Sequence, residues 1–116
     1  MKVIIDNTSS CDNVEFLGDC KISKYCSVYG SVDQKVVIGT NCYIGMFTLI
    51  NGFNGMVKIG ENVSIAPRVT ILTDSGPNSS LSLQKKYPIE KGDVAIGDNC
   101  WICSGAIILP GTKIAP

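Results

Sequence analysis

Large apolar residues recur along this chain at intervals of six. They come in groups of three, and extra residues are found only between the groups. The positions are Phe16, Ile22 and Val28; Ile38, Ile44 and Ile50; Ile59, Ile65 and Ile71; Ile96, Ile102 and Ile108; and then Ile114. A period of six fits neither the 3.6 residues of a helical turn nor the alternation of an isolated strand, but it places one large side chain inside each face of a three-sided coil. The pattern predicts an all-β protein, a parallel β-helix of about four to five triangular coils.

The fourth residue after each of these apolar anchors is generally small. We expect it to point inward as well, where a strand gives way to a corner. The occupants are Cys20, Cys26, Val32, Cys42, Thr48, Asn54, Val63, Val69, Ser75, Cys100, Ala106 and Thr112. Only Asn54 fits this position poorly. Four of the six cysteines stand at such positions, which indicates that they are compact core residues instead of disulfide partners.

A template of Ile-Gly-x-Asn-small-x-Ile occurs three times, at residues 38–44, 59–65 and 96–102. Glycine and asparagine accept the backbone angles of tight corners more readily than other residues. A repeat of this kind indicates an architecture built by stacking one unit. The turn residues and the core pattern therefore predict the same fold.

Residues 94–111, with the sequence VAIGDNCWICSGAIILPG, resemble the hexapeptide-repeat acyltransferases and within them the maltose, galactoside and polysaccharide O-acetyltransferase branch. The resemblance extends over roughly residues 36–116. It implies left-handed coiling, which the spacing alone does not determine. It also implies transfer of an acetyl group from acetyl-coenzyme A to a sugar or polysaccharide precursor, and a homotrimer around an axis parallel to the coils.

Residues 1–116 are expected to form one domain with two departures from the period. Residues 1–15 fit the repeat poorly, and we expect them to cover the open strand edges of the first coil. Residues 77–93 form an insertion expected to leave one corner as an ordered arm, since family members carry a loop here that reaches over the active-site cleft between subunits. Ile114–Pro116 begins a further coil, which predicts end-to-end stacking of trimers.

Charge and hydropathy give no sign of a nucleic-acid or membrane partner. Ten basic and ten acidic residues are scattered along the chain and give a formal net charge of zero. The apolar run in residues 1–6 is too short for a signal peptide, and no segment has the length of a membrane span. We expect a cytoplasmic protein.

The chain contains no histidine. Relatives supply a histidine near the corner before the insertion as the base for acetyl transfer, whereas this chain reads TDSGPNSS from Thr73 to Ser80. Hexapeptide-repeat carbonic anhydrases hold zinc with three histidines, so we expect no catalytic metal here. Asp74 is the candidate substitute base. The alternative is that Asp74 and Asn78 only stabilise a turn with Gly76 and Pro77.

Further candidates follow from the resemblance. Trp101 is the only tryptophan, and we expect it to line the acceptor or cofactor site, to pack under the arm, or to lie at the trimer interface. Ser75, Asn78 and Tyr87 are candidates for the acceptor cleft. Lys85 beside Lys86 is either a coenzyme A contact or a solvated patch. The remaining coenzyme A candidates, from the C-terminal coils, are Ala106, Gly111, Thr112 and Lys113.

Two functional hypotheses remain open at this point. The first is an acetyl-coenzyme A-dependent O-acetyltransferase subunit that acts on a sugar or polysaccharide precursor. The second is a non-catalytic β-helical oligomer that keeps the scaffold as a structural or binding protein. Coenzyme A binding and thiol release would distinguish the two.

Overall fold

A computed structural model describes all residues from Met1 to Pro116. Three parallel sheets of five strands each enclose the core. Face 1 consists of β1 Val3–Ile5, β4 Cys20–Ile22, β7 Cys42–Ile44, β10 Ser64–Ile65 and β15 Trp101–Ile102. Face 2 consists of β2 Ser10–Asp12, β5 Ser27–Gly30, β8 Leu49–Gly52, β11 Thr70–Leu72 and β16 Ile107–Ile108. Face 3 consists of β3 Val14–Phe16, β6 Val36–Ile38, β9 Val57–Ile59, β14 Val94–Ile96 and β17 Lys113–Ile114.

The chain visits the three faces in turn, so each set of three strands is one coil and five coils are stacked. The architecture is a left-handed parallel β-helix, which confirms the predicted fold class. Coil 4 is interrupted between β11 and β14. There the chain leaves the prism as an antiparallel pair, β12 Asp74–Ser75 and β13 Glu90–Lys91, joined through the short helix α1 Leu81–Lys86.

The anchors form one column of side chains inside each face. On face 1, Ile22, Ile44, Ile65 and Ile102 lie in register and all are buried. Burial of an isoleucine side chain stabilises a fold by roughly 1.5–3 kcal/mol, so these columns account for much of the apolar contribution to folding. Phe16 and Ile114 are only partly buried because they belong to the first and last coils.

Two of the corners are built in similar ways from coil to coil after the first coil, and we call them the regular corners. Between face 3 and face 1, Asn41, Asn62 and Asn99 have φ angles of 57, 57 and 59°. These left-handed angles favour asparagine over most other residues. The coils approach so closely here that a Cβ on Gly39 would lie 2.5 Å from the carbonyl carbon of Gly60. The repeated glycine and asparagine are therefore requirements of this corner.

The other regular corner, between face 1 and face 2, uses Tyr25, Phe47 and Arg68 at φ angles of 57, 60 and 63°. The Tyr25 and Phe47 rings stack with centroids 5.2 Å apart, and the Arg68 guanidinium lies 5.0 Å from the Phe47 centroid. The stacking helps to offset the cost of a left-handed backbone at large residues.

Small inward residues at the regular corners also connect successive coils. The Cys26 and Cys42 thiols donate to the carbonyl oxygens of Gly45 and Gly60, each at 3.1 Å, and no cysteine forms a disulfide. Thr48 donates through Oγ1 to the Ala66 carbonyl at 3.4 Å. Cysteine and threonine at these positions therefore supply a hydrogen-bond donor in addition to compact bulk.

The third corner, between face 2 and face 3, departs from the expected pattern, and we call it the hairpin corner. It consists of residues 13, 31–35, 53–56, 73–93 and 109–112. The prediction that Val32 and Ser75 point inward is wrong. Val32 is 80% exposed on a turn in which Ser31 N–H donates to the Gln34 carbonyl, and Ser75 is exposed on β12. Val36 and Val94, at the starts of the face 3 strands, fill the interior instead.

Residues 1–15 do lie along the strand edges of the next coil, but they do so as a coil of the prism and not as an irregular cover. β1, β2 and β3 pair in parallel with β4, β5 and β6. The inward residues of this coil are Ile5, Cys11 and Phe16. Their spacing of six and then five, with a cysteine in place of a large anchor, hides the repeat in the sequence.

Candidate active site at the hairpin corner

The hairpin corner brings together a polar cluster at the base of the extruded arm. Close stacking of successive coils fixes its backbone. A Cβ on Gly92 would lie 2.7 Å from the Gly111 nitrogen, and one on Gly55 would lie 2.6 Å from the Gly92 oxygen. Gly111 N–H also donates to the Asp93 carbonyl at 2.9 Å. The base of the arm is therefore held between the coils below and above it.

Asp74 is the first residue of β12, at the point where the chain leaves the prism. Its carboxylate oxygen Oδ2 accepts hydrogen bonds from the side-chain amides of Asn54 at 2.8 Å and Asn51 at 3.3 Å. Neither bond uses the second oxygen, Oδ1. The carboxylate is oriented by one oxygen and retains the other as an acceptor for a ligand.

Buried hydrogen bonds fix the two asparagines themselves. Thr73, which is fully buried, donates through Oγ1 to the Asn51 carbonyl at 2.9 Å and accepts from Asn54 N–H at 3.3 Å. The Asn51 side-chain oxygen accepts from Phe53 N–H at 3.0 Å. These hydrogen bonds hold Asn51 and Asn54 in place without a ligand. The two side-chain amides that donate to Asp74 are therefore already positioned.

Tyr29 lies one coil below Asn51 in the same outward row of face 2. Burial, and after it the negative charge of Asp74, raises the pKa of the Tyr29 phenol above its usual value of 10.0. The phenol therefore keeps its proton at neutral pH and has an O–H group available to donate to a ligand. It adds a second kind of polar group to the cluster.

Asp74 and Asn78 have different hydrogen-bond partners. The Asp74 carboxylate bonds to the asparagines of the prism and not to the Gly76–Pro77 turn. Asn78 is exposed, and its backbone N–H donates to the Gly76 carbonyl at 2.9 Å. Asn78 therefore belongs to the turn, whereas Asp74 belongs to the corner. Ser75 is exposed next to Asp74, on the strand that carries the arm away.

The arm carries Lys85, Lys86 and Tyr87 on α1 and at its C-terminal end. Ser80 caps the helix by accepting through its side chain from Leu83 N–H. Leu81 is 75% exposed and Tyr87 57% exposed, and no residue of the helix is buried. The arm is thus ordered by its own turns and cap, while its apolar side chains make no core contact within this chain.

Trp101 lies on β15, in an outward row of face 1 that also contains Tyr43 and Ser64. It is 75% exposed. Face 1 is the face opposite the hairpin corner in a three-sided prism, so Trp101 and Asp74 of one chain do not share a cleft. Packing of Trp101 under the arm of its own chain is excluded by the same placement.

The residues predicted to contact coenzyme A are divided between two corners. Gly111 and Thr112 are at the hairpin corner, directly above the base of the arm, and Lys113 follows on face 3. A groove of about 470 Å³ on this side is lined in part by Lys58, Ala95 and Lys113. Ala106 lies at a regular corner, away from this group.

Asn51, Asn54 and Tyr29 were not predicted as site residues. The unfavourable fit of Asn54 to an inward position was a signal of an unusual corner. Asn51 and Tyr29 could have been found only by aligning successive coils, which places residue 29 beside residue 51.

No group of three or more histidine, cysteine, aspartate or glutamate side chains could hold a metal ion, and no helix is long and apolar enough to cross a membrane.

No family model matches the chain, but individual proteins do. It is 35% identical over 88 residues to galactoside O-acetyltransferase of Escherichia coli K12, which covers 75% of this chain and 42% of that protein. It is 37% identical over 79 residues to nodulation protein L of Rhizobium leguminosarum bv. viciae, covering 63% of this chain and 40% of that protein. The chain thus spans less than half the length of these two relatives.

Among solved structures, the fold is similar to that of AntD, an N-acyltransferase from Bacillus cereus in complex with dTDP and 3-hydroxybutyryl-CoA. The TM-score is 0.78 at 19% identity, and the match covers 96% of this chain and 62% of AntD. This likeness concerns the fold. The repeat, the five-coil prism and the sequence similarities together show that the chain belongs to the hexapeptide-repeat acyltransferase superfamily, in the branch that contains the galactoside O-acetyltransferases.

Proposed function

We propose that the chain is a subunit of an acetyl-coenzyme A-dependent acetyltransferase that acts on a sugar or polysaccharide precursor, with Asp74 as the proton acceptor. Transfer of acetyl groups to galactosides is what the names of two similar proteins describe. The observation that carries the proposal for this chain is the geometry of Asp74. Its Oδ2 is held by Asn51 and Asn54, and its Oδ1 is left to accept a proton.

A carboxylate in this arrangement can act as a general base because its orientation is fixed before the acceptor binds. Proton transfer by a positioned side chain contributes typically about 10²–10⁴-fold to a rate. The Tyr29 phenol, whose pKa is raised by burial and by Asp74, supplies a donor on the same side of the corner. The chain has no histidine that could replace Asp74 in this role.

We further propose that coenzyme A lies along the upper coils next to the arm. AntD has been crystallised with coenzyme A and with 3-hydroxybutyryl-CoA. In this chain, Gly111 and Thr112 stand above the base of the arm, and Lys113 offers a positive charge beside the groove on face 3. Lys85 on the arm is a second candidate for the coenzyme A phosphates.

A homotrimer would complete the site. The arm exposes Leu81, Leu83 and Tyr87, and none of them is buried within its own chain. Trp101 is exposed on the opposite face of the prism. A threefold arrangement allows the hairpin corner of one copy to face Trp101 of the next, so both would line one cleft between subunits. Sizing combined with light scattering tests this, and a monomer at all concentrations would contradict it.

The test of function is release of free thiol from acetyl-coenzyme A across a panel of sugars, combined with a measurement of coenzyme A binding. We expect turnover with at least one sugar, and we expect Asp74→Asn to lower kcat by about 100-fold or more, the lower end of what a positioned base contributes. The melting temperature of the variant should stay close to that of the parent protein.

Asp33→Asn is the matched control. Asp33 is an exposed carboxylate of the same corner, in the turn of coil 2, and it takes no part in the Asp74 cluster. Its replacement removes one negative charge and should leave turnover unchanged. If Asp74→Asn retains full activity, Asp74 is not the base. If the protein neither binds coenzyme A nor releases thiol, the non-catalytic oligomer is the better description.

A further inference from the structure

We propose that the aromatic ring of Phe53 is the surface on which the pyranose ring of the acceptor stacks, so that this side chain orients a cyclic sugar at Asp74. The inference rests on the proposed function and adds a residue that determines which acceptors bind. The position of Phe53 in the stack of coils and the polar groups beside its ring support it.

Phe53 and Asp74 follow the same outward row of face 2, on neighbouring coils. Face 2 pairs Asn51 of coil 3 with Leu72 of coil 4. The Thr73 N–H donates to the Asn51 carbonyl at 3.1 Å, which extends this ladder toward the hairpin corner. Side chains two positions apart on a strand lie on the same side, and neighbouring strands are about 4.8 Å apart. Continuing the register by two residues therefore brings Phe53 one coil below Asp74.

The side-chain amide of Asn51 connects the two residues. Its oxygen accepts from Phe53 N–H at 3.0 Å, and its nitrogen donates to Asp74 Oδ2 at 3.3 Å. The next residue, Asn54, donates through its backbone N–H to Thr73 Oγ1 at 3.3 Å. The backbone that carries the Phe53 ring is thus fixed relative to the carboxylate. A fixed ring favours binding because less conformational entropy is lost when a ligand packs against it.

The side chain of Phe53 is 57% exposed, and no other ring or cation covers it. The aromatic residues of the regular corner differ in this respect. Tyr25 and Phe47 stack on one another, and the Arg68 guanidinium lies over the Phe47 ring. Single exposed apolar residues are common on protein surfaces, so exposure alone does not indicate a site. Phe53 is distinguished by an uncovered ring next to an oriented carboxylate.

A pyranose ring fits this combination because its face and its edge differ chemically. The carbon-bound hydrogens on the face carry partial positive charge and are attracted to the negative face of an aromatic ring. The hydroxyls at the edge need hydrogen-bond partners. Asp74 Oδ1 accepts no hydrogen bond within the chain, and the Tyr29 hydroxyl belongs to the adjacent outward row. A sugar stacked on Phe53 therefore presents an edge hydroxyl to Oδ1.

Binding of methyl β-D-galactopyranoside and methyl β-D-glucopyranoside to the full chain tests the proposal without requiring turnover. Saturation-transfer NMR reports which sugar hydrogens lie against the protein, and a titration gives Kd. We expect the strongest signals from the hydrogens on one face of the ring. Phe53→Leu keeps an apolar side chain but removes the aromatic face, so it should weaken binding about 10-fold, whereas Phe53→Tyr should bind like the parent protein.

Two controls separate stacking from other effects. Galactitol offers similar hydroxyls on an open chain, and its weak binding should be the same in the parent protein and in Phe53→Leu. Tyr25→Leu is the matched variant, because Tyr25 is an aromatic residue of similar exposure, 56%, at a regular corner. It should leave the Kd of both pyranosides unchanged.

Thiol release from acetyl-coenzyme A distinguishes failure of this proposal from failure of the proposed function. Phe53→Leu should raise KM for the pyranoside and leave kcat nearly unchanged, since stacking holds substrate and transition state alike. If neither pyranoside binds the parent protein, or if Phe53→Leu binds equally well, Phe53 is not the stacking surface, although Asp74 can still serve acetyl transfer. A changed oligomeric state of Phe53→Leu would assign the ring to a subunit contact instead. Phe53-dependent binding without thiol release would overturn only the proposed function.

Discussion

The regular corners and the hairpin corner solve the same problem, turning the chain from one face to the next, in different ways. At the regular corners the step from one anchor to the next is always six residues, as from Ile44 to Ile50 or from Ile59 to Ile65. At the hairpin corner the steps differ from coil to coil. They are 10 residues from Val28 to Ile38, 9 from Ile50 to Ile59, 25 from Ile71 to Ile96 and 6 from Ile108 to Ile114.

The difference separates two corners that serve packing from one corner that gathers the residues of the candidate site. The regular corners contain glycines, left-handed asparagines and inward thiols whose hydrogen bonds are satisfied within the prism. The hairpin corner adds polar side chains that meet at Asp74, at the base of the arm. Residues of one type should therefore respond differently to the same substitution at the two kinds of corner.

The largest difference is expected for a pair of valines in the same slot of the repeat, four residues after an anchor. Val63 stands at a regular corner and is 1% exposed, whereas Val32 stands at the hairpin corner. Val63→Ala should lower the free energy of unfolding by about 2 kcal/mol, because it leaves a small cavity in the core. Val32→Ala should change it by less than about 0.5 kcal/mol. Chemical denaturation of both variants measures the difference.

If both valine variants lost the same free energy of unfolding, the position in the repeat would determine the loss and the type of corner would not. A loss confined to Val32→Ala would show that the turn at residues 31–35 is covered in solution. Either result would remove the distinction between the corners.

A smaller effect is expected for two asparagines. Asn62 has a left-handed backbone, and Asn54 does not. Replacement of Asn62 by glycine should give a protein about 1 kcal/mol more stable than replacement by alanine, since alanine is strained at this angle. At Asn54 the order should reverse, because glycine there only adds flexibility to the unfolded chain.

Urea denaturation of the four variants gives the free energy of unfolding of each. The glycine variant should be the more stable of the pair at Asn62, and the alanine variant at Asn54. The same order at both positions would contradict the prediction. Both Asn54 variants also lose the 2.8 Å bond to Asp74. They should therefore reduce turnover, while the Asn62 variants should not.

The last effect concerns a thiol at a regular corner and appears only at alkaline pH. Burial, and after it the charges of Cys42 and Cys11, raises the pKa of Cys20 from 9.0 to about 12. Below pH 9 both folded and unfolded chains keep the thiol proton. Between pH 9 and 12 the unfolded chain loses it and the folded chain keeps it, so the stability contributed by this thiol is lost as pH rises.

The midpoint of urea denaturation in the presence of a reductant, measured at pH 8, 9 and 10, tests this linkage. Above pH 9 the midpoint should decrease less steeply with pH in Cys20→Ala than in the parent protein. Cys103→Ala is the control, because Cys103 is exposed, and its slope should match that of the parent. An unchanged slope in Cys20→Ala would show that other groups cause the alkaline loss.

Most of the fold could be predicted because the residues that fill the core of the prism recur at a short, regular spacing in the sequence. A six-residue period with isoleucine at the anchors reports directly on which side chains point inward, and the structure buries Ile38, Ile59 and Ile96 accordingly. The first coil was missed because Cys11 occupies an anchor position. Val32 and Ser75 were misplaced because the period was extended across a corner whose length varies.

Less of the candidate site could be predicted, because its contacts join residues that are distant in sequence. Asp74 was identified from its position before the insertion. Its partners Asn51 and Asn54 lie 23 and 20 residues away and meet it only when coil 3 stacks beneath coil 4. The exposed position of Trp101 on the opposite face likewise depends on how the chain closes around the prism.

The hairpin corner has one more consequence, for how such a protein can change. Val36, Val57 and Val94 stay stacked on one another in register although 5, 4 and 21 residues separate their strands from the face 2 strand of the same coil. Chain length can therefore vary at this one vertex without shifting any strand above or below it. A segment of another length could therefore replace the arm while the strands of the prism keep their register.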